Sequence, residues 1–358
     1  MSHEVDILAV GDKSQSGDAF ALRFGDLTDP TKQKVVIIDG GFKDSGSGEK
    51  LVERINKEYQ TNHVDLVIST HPDQDHISGL TTVLEKMDVD LLWMHRPWAK
   101  SEEIKKMAED RTLLAELGAS KFKKSLEQAY DLEKLAEQND VAIEEPFQGK
   151  SAFDGVLNVL GPSEDYYLKL AGEFEKGAQY SLAEKAKRII SEFWHKDELV
   201  DPEPNAVGAR NNSSVILLAI FGDKHFLFCG DAGVEAITLA NDYALANGYN
   251  IANQIHYFHV PHHGSKRNLG PTLLDSLMGP IQPEGYESGK VAFISAAVEG
   301  GTKHPSPRVI NALIRRGVKV SPATCGSDQC YKSIDRPTRP GWGPIVHLEF
   351  INSYEEED

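Results

Sequence analysis

A chain of 358 residues with 40% hydrophobic content is long and apolar enough for one large α/β domain with a sizeable core. Its formal net charge of -17 argues against a general grip on a polyanion, because phosphate-backbone binding is driven by Lys and Arg, although a local basic groove stays compatible with it. Three cysteines are too few for a disulfide framework.

The start, MSHEVDILAVG, lacks the basic opening and apolar stretch of a signal peptide. No run approaches the ~18 apolar residues of a membrane span. A soluble, cytoplasmic protein with no membrane partner is expected; only a short acidic tail, Glu355 to Asp358, reads as unstructured. Strand candidates come early, in EVDILAVG, DAFALRFG and KVVIIDGG. A helix pattern follows in EKLVERINKEY, then the strand DLVIST, then a cluster of polar residues and a helix over Ile77 to Lys86. From Ser101 to Asn139 the pattern is helical and rich in Lys and Glu, the strand GVLNVLGP comes next, and a second helical stretch covers Tyr166 to His195. The whole chain, 1–358, is read as one domain with helical insertions at about 101–139 and 163–200, which pack on the core fold and could serve as a lid or as the contact of a homo-oligomer.

Strands return with SSVILLAIFG and KHFLFCGD, a hairpin turning at GDK. A helix over Val234 to Asn247, the strand QIHYFHVP, a helix near Thr272 to Leu277, the strand KVAFISAA, the helix PRVINALIRRG and the strands VKVSPAT and PIVHLEF complete the chain. Two halves, each of hairpins followed by β/α units, imply two sheets packed face to face with helices outside: a four-layer αββα sandwich.

The chemistry is concentrated after three strands. His71, Asp73, Asp75 and His76 fall within HPDQDH, and imidazole and carboxylate together are a ligand set for first-row divalent metals. On an irregular turn the four side chains can converge; on a regular helix they would point around the cylinder. FCGDAG ends an apolar strand on Asp231, which could bridge two cations, and VPHHGSK ends another on His262 and His263. Cys229 reads as a small core residue, and Cys325 and Cys330 as a reduced surface loop. GGFKDSGSGEK lacks the Gly-Lys-Ser/Thr of a phosphate loop, GDKSQSGDAF reads as a hairpin turn, and no Gly-x-Ser-x-Gly elbow occurs.

In that order and after strands, THPDQDH, CGD and PHHGS resemble the metallo-β-lactamase superfamily, and most of all the hydrolase domain of ComEC-type DNA-uptake proteins and their free-standing relatives. SGDAF, IIDGG, NNSSVIL and KHPSP add to the likeness, which spans about Asp6 to Phe350 outside the helical insertions. The resemblance implies two divalent ions, Zn²⁺ or Mn²⁺. His71 and Asp73 would hold one, Asp75, His76 and His263 the other, with His262 the rival of His263, and Asp231 would bridge. Asp39 would orient a ligand. Where the superfamily offers a third histidine to the first ion this chain reads RNNSSV, and Asn211 or Asn212 is a poor substitute, so that ion would be weakly held or restricted to harder metals.

The implied mechanism is hydrolysis by a water ionised between the ions, with Asp75 orienting it and His262 protonating the leaving oxygen. Lys266 would contact a phosphate, and His304 would be a phosphate contact or helper acid. The expected function is a metal-dependent phosphodiesterase or nuclease whose partner is a phosphoester substrate, nucleic acid or nucleotide; the acidic charge favours a small one. Carboxylic-ester or lactone hydrolysis, and a non-catalytic regulatory metal module, are the alternatives. His259 and seven other histidines have no motif context and are expected to be structural or exposed.

Overall fold

Gln33–Gly40, QKVVIIDG, shows how the layers form. Successive side chains of a strand face opposite ways, and here both faces are apolar, as in a strand covered on both sides. Val35 and Ile37 join a core beneath helices, while Val36 and Ile38 join a second core facing another sheet. Ile216–Phe221 repeats the pattern, with Ile216 and Leu218 under helices and Leu217, Ala219 and Phe221 between sheets.

This computed structural model describes residues 1–11, 15–100, 121–174, 187–297, 304–324 and 327–357. The main strands are β1 (Ser2–Ile7), β2 (Ala19–Gly25), β3 (Gln33–Gly40), β4 (Leu66–Ile68), β5 (Leu91–Trp93), β6 (Ala142–Glu144), β7 (Ser151–Ala152), β8 (Leu157–Gly161), β9 (Ile216–Phe221), β10 (Lys224–Phe228), β11 (Tyr257–His259), β12 (Val291–Ser295), β13 (Lys319–Ala323) and β14 (Gln329–Lys332). They form two seven-stranded sheets, β14-β1-β2-β3-β4-β5-β6 and β13-β12-β11-β10-β9-β8-β7. In each sheet one half is antiparallel and the other, β3 to β6 or β10 to β13, is parallel. Helices Ser47–Arg54, Leu80–Lys86 and Lys121–Gln138 cover the first sheet, and Val234–Ala246, Pro271–Met278 and Pro307–Arg315 the second. The fold is thus the mixed α/β sandwich of four layers expected from the sequence.

Parallel strands end on one edge, where sites of α/β folds lie. The loops after β3, β4, β10 and β11 meet there. One close approach fixes the edge: Gly79 N–H donates to Gly41 O at 2.9 Å, and a Cβ on Gly79 would stand 1.9 Å from Gly40 O.

Several expectations are corrected. Of the second helical stretch, Glu164–Ala171 is helical, 175–186 lie outside the described residues, and Lys187–Ser191 is a strand that pairs antiparallel with Ser353–Glu357. Within the acidic tail, Glu355 to Glu357 therefore belong to a strand, with Glu356 bound by Arg308 at 2.5 Å and Lys266 at 2.9 Å. PIVHLEF forms no strand, whereas Cys330 lies on β14 in register with Asp6 rather than in a surface loop. Cys325, much of the first insertion and the turn at 12–14 fall outside the described residues. Among the described residues no helix is long and apolar enough to cross a membrane.

Candidate metal centre

After β4 the chain leaves the sheet through Thr70 and His71 and turns into the short helix Gln74–Ile77. This break in regular structure lets HPDQDH converge. His76 is fully buried, and its Nδ1 donates to Asp39 Oδ2 at 2.8 Å. Asp39 also accepts from Thr70 N and Oγ1 at 2.8 and 2.7 Å. The other ring nitrogen of His76, Nε2, lies 3.2 Å from Asp231 Oδ1 and 4.0 Å from Asp75 Oδ2. His263 Nε2 lies 3.4 Å from the same Asp75 oxygen. His71 Nε2 stands 3.7 Å from Asp231 Oδ2.

These donors suit a divalent cation. Ligand atoms at ~2.0–2.2 Å from a Zn²⁺ are ~3–3.5 Å from each other in tetrahedral or octahedral geometry; the 3.2 and 3.4 Å separations fall in that range and those of 3.7 and 4.0 Å are wider. Nε2 of His71, Nε2 of His76 and Oδ1 of Asp231 are buried without hydrogen bonds, an arrangement that costs free energy unless a cation satisfies it. Two triads meet the geometry of a site at Nε2 of His76, His71–His76–Asp231 and Asp75–His76–His263, and a third, Asp18–Asp39–His76, meets at its Nδ1.

Electrostatics agree. Burial pushes the His76 imidazole down, but Asp231, Asp39 and Asp75 outweigh it and hold it well above its ordinary value. Burial likewise lowers His263, but bonds to Asp18 and Asp75 bring it up to about 10. Burial raises the Asp231 carboxyl, and the facing His262 and His76 pull it well below the carboxylate range. Asp75 and Asp231, both held below the ordinary carboxylate value, stay anionic and attract positive charge. Asp39, His262 and His263 adopt left-handed backbone with φ of 55°, 48° and 56°, strain of the kind that collects at functional sites.

The other expected residues are placed differently. Asp73 joins none of these triads: its Oδ1 accepts from Arg210 Nη1 at 2.5 Å and from Ser125 Oγ at 2.9 Å, Ser125 lying on the insertion helix Lys121–Gln138. Lys266 pairs with Glu356 at 2.9 Å. His262 stands at the rim, its side chain 32% exposed and its Nε2 3.6 Å from Asp231 Oδ2. The His304 ring is 5.8 Å from that of His262. Asn211 Nδ2 donates to Asp231 Oδ2 and to His262 Nδ1, both at 3.1 Å, while Asn212 Oδ1 accepts from Gly233 N.

Two residues were not anticipated. Asp18, at the start of β2, is fully buried, with Oδ2 3.1 Å from His259 Nε2 and Oδ1 3.5 Å from His263 Nδ1. His259, at the end of β11, is fully buried as well. The signal for Asp18 was present in SGDAF; none marked His259.

Residues 27–140 match the family model of the metallo-beta-lactamase superfamily. That stretch holds Asp39, His71, Asp75 and His76 but stops short of Asp231 and His263. The match supports the superfamily resemblance and does not reach the ComEC-type subgroup. No curated protein matches the chain significantly. Among solved structures, the chain is similar to Zn²⁺-bound PqqB from Methylobacterium extorquens, at 12% identity and a TM-score of 0.41, over 91% of this chain and 99% of that one. It is also similar to a diphosphatase of the PhnP family, at 10% identity and a TM-score of 0.40, over 93% and 98% of the two chains.

Proposed function

We propose that this chain is a metal-dependent hydrolase of phosphoesters, acting on small substrates rather than on long nucleic acid. The observation that carries the reading is the convergence of Asp75, His76 and His263, supplied by loops of both sheets, with Asp231 Oδ1 3.2 Å from the same His76 Nε2.

When bound there, a divalent cation supplies Lewis acidity toward a phosphoryl oxygen and toward water. The chain's own residues do the rest. Asp39 holds the proton of His76 on Nδ1 and leaves Nε2 as a donor lone pair. Asp75 and Asp231 offset the cation's charge and orient what binds beside it. Asn211 donates to His262 Nδ1, which places the His262 proton on Nε2, at the rim. From there it can pass to a leaving oxygen. The His304 ring lies beside that of His262, 5.8 Å between centroids. The net charge of -17 disfavours a long polyanion and suits a small phosphodiester or nucleotide.

The test is turnover of bis-p-nitrophenyl phosphate, p-nitrophenyl esters and labelled single-stranded DNA, with Mn²⁺ or Zn²⁺ present. Phosphodiester cleavage that His76→Ala and Asp75→Ala abolish, with folding intact by circular dichroism, supports the reading. Full activity in either variant, or preference for the carboxylic esters, overturns it.

A further inference from the structure

We propose that this site holds a single divalent cation and that the guanidinium of Arg210 takes the charge position of a second. The proposal rests on the hydrolase reading above and departs from the two-ion expectation of the resemblance.

The first argument is lone-pair counting. Both of the Nε2 triads include His76. Its Nδ1 carries the proton given to Asp39, so Nε2 offers one lone pair to one ion. The triads cannot both be filled. Asp75, His76 and His263 make one donor set, with spacings of 3.4 and 4.0 Å at Asp75 Oδ2, and Oδ1 of Asp231 stands 3.2 Å from the same His76 Nε2. Without His76, the other position keeps His71 Nε2 and Asp231 Oδ2, 3.7 Å apart. Protein sites for such ions typically supply three or four ligands.

The second argument concerns the residues that could make up the difference. Asp73 is the other carboxylate of the motif, but Arg210 Nη1 and Ser125 Oγ hold its Oδ1 at 2.5 and 2.9 Å, so its charge is already balanced by a guanidinium and only Oδ2 is left uncommitted. Arg210 Nη1 also donates to Ser125 Oγ at 2.8 Å, closing a three-membered network. The pair is mostly buried, with Arg210 15% and Asp73 19% exposed. Asn211 is the next candidate; with its Nδ2 held by Asp231 Oδ2 and His262 Nδ1, it offers only a neutral carbonyl oxygen and no charge to offset a second cation. A partly buried carboxylate needs a partner, and a fixed guanidinium supplies it without the ligand geometry an ion demands. The insertion helix Lys121–Gln138 thereby has a role in the site, because Ser125 braces the pair.

The experiment titrates the chelator-treated full chain with MnCl₂ by calorimetry and records the electron paramagnetic resonance spectrum of the loaded protein. One equivalent and an uncoupled mononuclear Mn²⁺ signal are expected. Asp75→Asn should lose that equivalent, whereas Asp73→Asn should keep it at undiminished affinity. Arg210→Gln, by freeing Asp73, should gain a second equivalent and show the spin coupling of ions ~3.5–4 Å apart; Arg210→Lys should stay at one. Two equivalents in the unaltered chain, loss of an equivalent in Asp73→Asn, or a single ion in Arg210→Gln each overturn the proposal while leaving the hydrolase reading standing. No bound ion at all would end both. Should Arg210→Gln not fold, the unaltered chain and Asp73→Asn decide alone.

Discussion

His76 gives its Nδ1 proton to Asp39 across 2.8 Å, and that one hydrogen bond decides which face of the ring meets the site. Asp39 comes from the end of β3 and His76 from the turn after β4, so two neighbouring parallel strands set the tautomer between them. Asp39→Asn removes the charge that orients the ring. It should weaken metal affinity by about 10–100-fold, the usual cost of losing such a partner, as read by competition with a fluorescent chelator. Unchanged affinity would show that His76 needs no orienting carboxylate.

Asp18 is a buried carboxylate shared by His259 and His263. Replacing His259 with leucine leaves that charge short of a partner, which typically costs about 3–5 kcal/mol. The midpoint of urea unfolding should fall accordingly, and Asp18→Asn/His259→Leu together should recover part of the loss. A midpoint equal to that of the unaltered chain would mean that Asp18 draws nothing from His259.

Far from the site, Glu4 on β1 accepts from Arg23 at 2.7 Å, Arg339 at 2.5 Å and Arg336 at 3.1 Å. Burial pushes its carboxyl up, yet Arg339 and Arg23 together hold it below its ordinary 4.5. A depressed carboxylate contributes stability that is complete above the unfolded value and drains away as pH falls through the folded one. Stability should therefore decline below pH 4.5 less steeply in Glu4→Gln than in the unaltered chain, measured by urea unfolding across acidic pH. Parallel profiles would remove Glu4 from the acid response.

Lys266 follows the paired histidines in sequence but spends its charge on Glu356. With its side chain 37% exposed, Lys266→Ala should leave phosphodiesterase turnover unchanged and cost under about 1 kcal/mol, as exposed ion pairs do. A large loss of turnover with an unchanged melting temperature would return Lys266 to the substrate.

At Gly79 an added methyl group would meet backbone, not a side chain able to yield. Gly79→Ala should destabilise by about 3 kcal/mol, the upper range for overpacking, and lower metal affinity by displacing the turn that holds Asp75 and His76. Calorimetric melting with and without Mn²⁺ tests both effects.

What the sequence revealed follows from how local each signal is. The layers were legible because VVII and SSVILL carry apolar residues on both strand faces, and His71, Asp75, His76, Asp231 and His263 were legible because each closely follows such a strand. Asp73 looked equivalent to Asp75, two positions away. What separates them is Arg210, 137 residues along the chain, together with Ser125 on a helix whose docking no local pattern specifies. His259 looked like any strand histidine because its partner, Asp18, belongs to the other sheet. The C-terminal acids read as unstructured because pairing with Lys187–Ser191 is a property of two distant segments rather than of either alone.

Asp75 and His76 hang from the first sheet, Asp231 and His263 from the second, and the apolar seam between the sheets ends beneath them. An ion held by Asp75, His76 and His263 would act as a rivet through the open end of a clasp. Stripping it should let the two leaves part there first, so amide exchange in apo protein should quicken at the rim and fade toward the far edge of the sandwich.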